Sequence, residues 1–173
     1  MITRKMTIHK KFPVLGIAIA IFLAAAFSGP ALAVSPESAE GGVRGIQQLA
    51  TLDATVTDLV VFGETPHGLR VDVSFEGRLS GMIEGVMRGI DYSLIRPDGV
   101  IEIDVRATIL TDDGALISAE IEGNMVDGRI RDTSVRFLTG HPAYQWLHDK
   151  IIVGKGWSFE DRLHVRYFID LGE

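Results

Sequence analysis

Leu69-Arg-Val-Asp-Val-Ser-Phe-Glu-Gly-Arg-Leu79 and Ile101-Glu-Ile-Asp-Val-Arg-Ala-Thr-Ile109 are the stretches that decide the fold. In the first, Leu69, Val71, Val73, Phe75 and Leu79 alternate with Arg70, Asp72, Ser74, Glu76 and Arg78. In the second, Ile101, Ile103, Val105, Ala107 and Ile109 oppose Glu102, Asp104, Arg106 and Thr108. Successive side chains of a strand point to opposite faces, so each stretch builds one apolar and one polar face. Residues 115–121 and 163–171 repeat the habit, with Gly, Pro and Asp between the segments. This pattern predicts an all-β protein, a single antiparallel β-barrel of about eight strands. One short helix is expected near 142–149, where Pro142 leads a stretch without glycine.

Two turns carry enough chemistry to set register. Arg96-Pro-Asp-Gly99 places Pro where φ is pre-set and Gly where φ must be positive, as in a type I turn with a G1 bulge. Thr111-Asp-Asp-Gly114 offers the same chemistry without the proline. If both are three-residue hairpin loops, Tyr92 lies opposite Asp104 and Leu94 opposite Glu102. On the next strand Arg106 then lies opposite Glu120, and Asp104 opposite Glu122. Tyr92, Glu102, Asp104, Arg106, Thr108, Ser118, Glu120 and Glu122 thus share one face. Glycines 77, 81, 85 and 89 recur every four residues; read as one strand, they permit sharp coiling or close approach of a neighbouring backbone.

The polar face has two readings. It meets solvent, with Arg106–Glu120 a surface pair, or it lines the lumen of a ligand-binding barrel. In the lumen reading, crowded carboxylates raise one another's pKa, Tyr92, Asp104 and Glu120 are candidate catalytic residues, and Arg106, Glu102, Arg70 and Glu122 candidate ligand contacts. The apolar face would then need covering, most simply in a homo-oligomer. His67, His141, His148 and His164 show no metal-ligand spacing, and the acids in the turns are read as turn formers, so no metal is expected. Tyr144, Trp146 and Trp157 are expected to pack.

The beginning of the chain carries a different message. Arg4, Lys5, Lys10 and Lys11 precede a run of fourteen apolar residues from Val14 to Phe27, then Ser28-Gly-Pro30 and Ala31-Leu-Ala33. Basic start, short apolar middle, helix breaker and A-x-A make the secretory pattern, and cleavage after Ala33 is expected. The run is shorter than the ~20 residues of a spanning helix, so no membrane association is expected once it is removed. Residues 34–42 read as a flexible linker and 43–173 as the barrel domain. Removing 1–33 leaves 13 basic and 23 acidic residues, a net charge of −10, which argues against a nucleic acid partner. The chain has no cysteine, which removes disulfides, thiol nucleophiles and zinc–thiolate sites. No phosphate loop or dinucleotide fingerprint occurs, so no cofactor is expected.

Several segments come in a telling order: Gly63-Glu-Thr-Pro-His-Gly-Leu-Arg70, Phe75-Glu-Gly77 with Gly81, and Gly89-Ile-Asp-Tyr92. Arg96-Pro-Asp-Gly99, Asp104-Val-Arg106, Thr111-Asp-Asp-Gly-Ala-Leu-Ile117 and Gly140-His-Pro-Ala-Tyr-Gln-Trp-Leu147 follow. Together, from about Val43 to Leu171, they resemble the family called domain of unknown function 3237. The resemblance implies a small antiparallel barrel, no agreed activity, and a family pattern that includes Asp104 and Arg106. Many relatives carry Trp where this chain has Tyr92. Three functions stay open: a periplasmic or secreted barrel binding a small organic ligand, a cofactor-independent isomerase, cyclase or lyase, and an interaction module with a filled barrel.

Overall fold

Turn chemistry and alternation build the sheet as expected in the computed structural model, which describes residues 45–171. The expected signal peptide (1–33) and expected linker (34–42) lie outside the described residues. Nine strands follow in order: β1 (Ile46–Thr65), β2 (Gly68–Gly81), β3 (Gly85–Asp91), β4 (Leu94–Ile95), β5 (Ile101–Thr111), β6 (Leu116–Val126), β7 (Arg129–Leu138), β8 (Ile151–Phe159) and β9 (Arg162–Asp170). Each long strand pairs antiparallel with the next, and β1 pairs with β9, so eight strands close a barrel. The two-residue β4 is the extra strand; it continues β3 between β2 and β5. Closure leaves the sheet body without open edges. A 3-10 helix, Pro142–Leu147, interrupts the β7–β8 connection and inserts Leu147 into the core.

Both turns form with the expected bonds. Arg96 N–H donates to Val100 O (2.8 Å) and Thr111 N–H to Ala115 O (2.9 Å), with Gly99 at φ 84° and Gly114 at φ 89°. The predicted pairs are therefore present: Leu94 with Glu102, Arg106 with Glu120 and Asp104 with Glu122. The glycine segment departs from the single-strand reading. It is a hairpin, with Gly77 and Gly81 on β2, Gly85 and Gly89 on β3, and residues 82–84 turning between them. Across that hairpin Gly77 faces Met87, Gly85 faces Leu79 and Gly89 faces Phe75. A Cβ at Gly89 would lie 2.5 Å from the Ala107 Cβ and 2.7 Å from the Arg106 carbonyl oxygen, so close backbone approach is what the position requires.

The apolar face turns inward. Ile103, Val105, Ala107 and Ile109 of β5 are buried, while Glu102, Arg106 and Thr108 are exposed. Packing is uneven along the barrel axis. At the end made by residues 82–84, the 112–114 turn and the 3-10 helix, Leu49, Leu79, Ile83, Met87, Ile109, Ile117, Phe137 and Ile169 are wholly buried. At the opposite end the strands run past one another. β1 pairs with β9 only as far as Thr55, and beyond it Asp58–Thr65 has β2 as its ladder partner, forming an arm. Leu59, Val60, Val61 and Phe62 on this arm are 46–62% exposed.

Candidate functional site

The barrel is hollow at the arm end. A cavity of about 360 Å³ is lined almost entirely by aliphatic side chains and Phe75, with Val105, Ile121, Val165 and Tyr167 deep in it and Leu59 and Val61 at its exposed rim. Strand parity explains the lining, since these are the residues that alternation places inside. Four polar side chains besides Tyr167 also line it: Asp91, Ser93, Thr133 and Ser158. An apolar chamber with few polar groups is the usual construction of a small-molecule site.

Asp91 holds its place through a local rewiring of the ladder. It sits at the end of β3 in register with Val73 and Val105, so its side chain points inward. Tyr92 N–H donates to Asp104 O (2.8 Å). In an unbroken antiparallel ladder Asp104 N–H would return a bond to the Tyr92 carbonyl. It donates instead to Asp91 Oδ1 (3.0 Å). The displaced Tyr92 carbonyl accepts a bond from Arg70 Nη1, while Arg70 Nη2 pairs with Asp72 at 2.8 Å. A carboxylate thus substitutes for a backbone carbonyl, and β3 breaks from β4 at this point. Irregularities of this kind re-aim side chains beside functional sites. Burial, with the nearby Asp104 charge adding to it, pushes the Asp91 pKa up more strongly than the Asp104 amide, Ser93 and Arg70 pull it down.

Tyr167 offers the complementary group. It is 2% exposed, and its ring lies edge-on to Phe137 and against Gly154. Burial alone raises its pKa, so the phenol stays protonated as a donor. Among the described residues no hydrogen bond of its hydroxyl is found. Two strands, β1 and β2, separate β9 from β3 one way round the barrel, and four the other way. Asp91 and Tyr167 therefore contribute polar groups from well-separated sectors of one chamber. Thr133 is already satisfied, its Oγ1 donating to Gly154 O at 2.9 Å.

The residues singled out from sequence share a face, and that face is the outside of the barrel. Asp104 pairs with Arg106 at 2.5 Å, and Arg106 also reaches Glu122 at 3.8 Å. Glu120 lies 3.6 Å from Arg136, and Glu102 3.5 Å from Arg96. The side chains of Asp104 and Arg106 are 49% and 46% exposed. Tyr92 lies under the Arg70 guanidinium, 5.4 Å from its ring centroid. The lumen reading of Tyr92, Asp104, Glu120, Arg106, Glu102, Arg70 and Glu122 is corrected: parity sends even-numbered side chains of β5 and β6 to solvent. The apolar face fills the inside, so it gives no reason for oligomerisation. Asp91 and Tyr167 were missed, although a signal existed. The turn-derived register already sets Asp91 opposite Val105, a carboxylate at an apolar-parity position.

Known proteins described as of unknown function share this fold. A family model described as protein of unknown function (DUF3237) matches residues 45–132. A UPF0311 protein of Rhodopseudomonas palustris is 32% identical over 137 residues, which cover 65% of this chain and 88% of that protein. A crystal structure of a conserved R. palustris protein of unknown function superposes with a TM-score of 0.65 at 29% identity, covering 72% of this chain and 95% of the other. A structure from Clostridium acetobutylicum, also of unknown function, gives 0.67 at 25% identity, covering 72% and 97%.

Proposed function

The chain belongs to the DUF3237 family of proteins of unknown function, and on that premise we propose that its barrel binds a compact, largely apolar organic molecule. The ligand carries a hydroxyl or carbonyl group that meets Asp91 or Tyr167. The observation that carries this reading is the chamber itself, about 360 Å³ and aliphatic, with an acid of raised pKa and the Tyr167 phenol in its lining. Its volume falls within the range of drug-sized ligand pockets. Titration with N-phenyl-1-naphthylamine, which brightens in apolar surroundings, tests it. Saturable enhancement is expected, and Val105→Phe and Ile121→Phe should abolish it while keeping a cooperative urea transition. A wild-type protein that gives no enhancement, or filled variants that bind as well, would overturn the reading.

A second reading, proton transfer without a cofactor, is supported by Asp91. A partly buried carboxylate with a raised pKa is suited to take and return a proton. It predicts that Asp91→Asn binds the naphthylamine probe normally but turns over no substrate. The N-terminal pattern supports export as part of the same proposal. Mass spectrometry of the periplasmic or culture fraction should find a chain beginning at Val34; a cytoplasmic chain retaining residues 1–33 would refute it.

A further inference from the structure

The described residues carry 20 acidic and 12 basic side chains. Seven of the twelve cations, Arg70, Arg78, Arg88, Arg96, Arg106, Arg136 and Arg162, are ion-paired, and Lys150 donates to the Leu171 carbonyl. The other four, Arg129, Arg131, Lys155 and Arg166, have no acidic partner among the described residues. All four line one cleft of about 450 Å³ on the outer surface of β7, β8 and β9. In a domain so rich in acid, gathering these four unpaired cations of the described residues in one place concentrates positive potential there.

Register explains the gathering. Arg129, Trp157, His164 and Asp53 form one cross-strand row over β7, β8, β9 and β1. Lys155 and Arg166 pair in the adjacent outward row, and a register shift between Ile130 and Thr133 swings Arg131 into the cleft. Trp157 departs from its expected packing role: it is 45% exposed. Its indole stacks on the His164 ring, with centroids 5.6 Å apart and planes at 19°. His164 Nδ1 lies 2.7 Å from Asp53 Oδ1, which fixes the imidazole and occupies the acid that ends the row. Arg166 lies 5.8 Å from the Phe168 ring centroid. The result is a braced aromatic plate beside four free cations.

We propose that this cleft binds a ring-bearing oxyanion, a phosphate or sulfate ester whose charged group meets the arginines and whose ring lies against Trp157. Arginine forks match such oxyanions bidentately, and aromatic stacking adds about 0.5–1.5 kcal/mol, or roughly two- to tenfold in affinity. The site is separate from the inner chamber.

The test uses inorganic phosphate, phenyl phosphate and phenyl sulfate, followed by calorimetry and by the two indole N–H signals in proton–nitrogen NMR. Phenyl phosphate should bind roughly two- to tenfold more tightly than inorganic phosphate, more weakly at high salt, and should move the Trp157 signal but not that of Trp146. Trp157→Ala should erase the preference for the ring while retaining phosphate binding. Arg129→Gln with Arg166→Gln should weaken every anion, and Val105→Phe should weaken none. Comparing the two esters identifies which oxyanion the site prefers. Saturation by neither ester, an unmoved Trp157 signal, or binding indifferent to the double arginine variant would overturn the proposal, with a retained urea transition showing that each variant is folded.

Discussion

Replacing Asp91 by Asn and by Ala separates the two things its carboxylate does. As an acceptor it satisfies the Asp104 amide at 3.0 Å in place of the Tyr92 carbonyl; as a charge it is held in an apolar chamber that raises its pKa. Asn keeps an acceptor and removes the charge. Ala removes both and leaves the Asp104 amide unpaired. An orphaned amide costs about 1–3 kcal/mol, and this one is only partly buried, so the Ala variant should be about 1 kcal/mol less stable than the Asn variant. For a domain of this size that is a few degrees in Tm. The pH dependence has a definite sign. A carboxyl whose folded pKa lies above its unfolded value, about 3.9, makes the native state bind protons first. Its charge therefore opposes folding at neutral pH, and the penalty is relieved as pH falls through the native pKa. Asp91→Asn should be more stable than wild type at pH 7, with an advantage that shrinks toward zero near pH 4. Urea melts at several pH values measure this. An Asn variant no more stable than wild type at pH 7, an advantage independent of pH, or Ala as stable as Asn would refute the reasoning.

Three further outcomes follow from particular contacts. Gly89→Ala places a Cβ 2.5 Å from the Ala107 Cβ and should cost about 1–3 kcal/mol in urea denaturation, whereas Gly140→Ala, with nothing within 4 Å, should stay within about 0.5 kcal/mol; equal effects would show that strand spacing adjusts freely. Thr133→Val removes the buried bond to the Gly154 carbonyl and should lower stability by about 1 kcal/mol, read from the same transition. Val60→Lys on the exposed arm should leave the urea midpoint unchanged and reduce self-association at high concentration in sedimentation velocity, because a charge blunts an open apolar edge; identical sedimentation of both proteins would remove the arm as an adhesive edge.

The barrel was readable because two short turns obey local rules. Pro97, Gly99 and Gly114 set hairpin geometry without help from distant residues, and every paired position on β5 and β6 then follows by counting. Which face is inside follows from alternation only when nothing breaks it. The hairpin at 82–84 has no Asn-Gly or Pro signal, so the run of spaced glycines reads equally well as one strand. The site was obscured by the same alternation. Clustered charges at Glu102, Asp104, Arg106, Glu120 and Glu122 draw attention to the polar face, but Arg96, Arg106 and Arg136 pair with these acids at the surface. The informative residue was Asp91, a single acid in an otherwise apolar register, and its meaning rests on a backbone rearrangement at Tyr92 that periodicity cannot express. Trp157 was misjudged for a related reason. Exposure of an aromatic depends on which neighbours share its row, and those come from strands far apart in sequence.

The uneven filling of the barrel divides each strand between two kinds of constraint. Around Leu79, Met87, Ile109 and Phe137, a change of one methylene is felt at once because every neighbour is in contact. A few residues further along the same strands, Val73, Asp91, Val105 and Ile121 border empty space and can exchange size or polarity without disturbing that foundation. A lineage can therefore retune what the chamber accepts by substitutions in the hollow half while the solid half keeps the protein folded. A barrel of this kind can diversify in ligand faster than in shape.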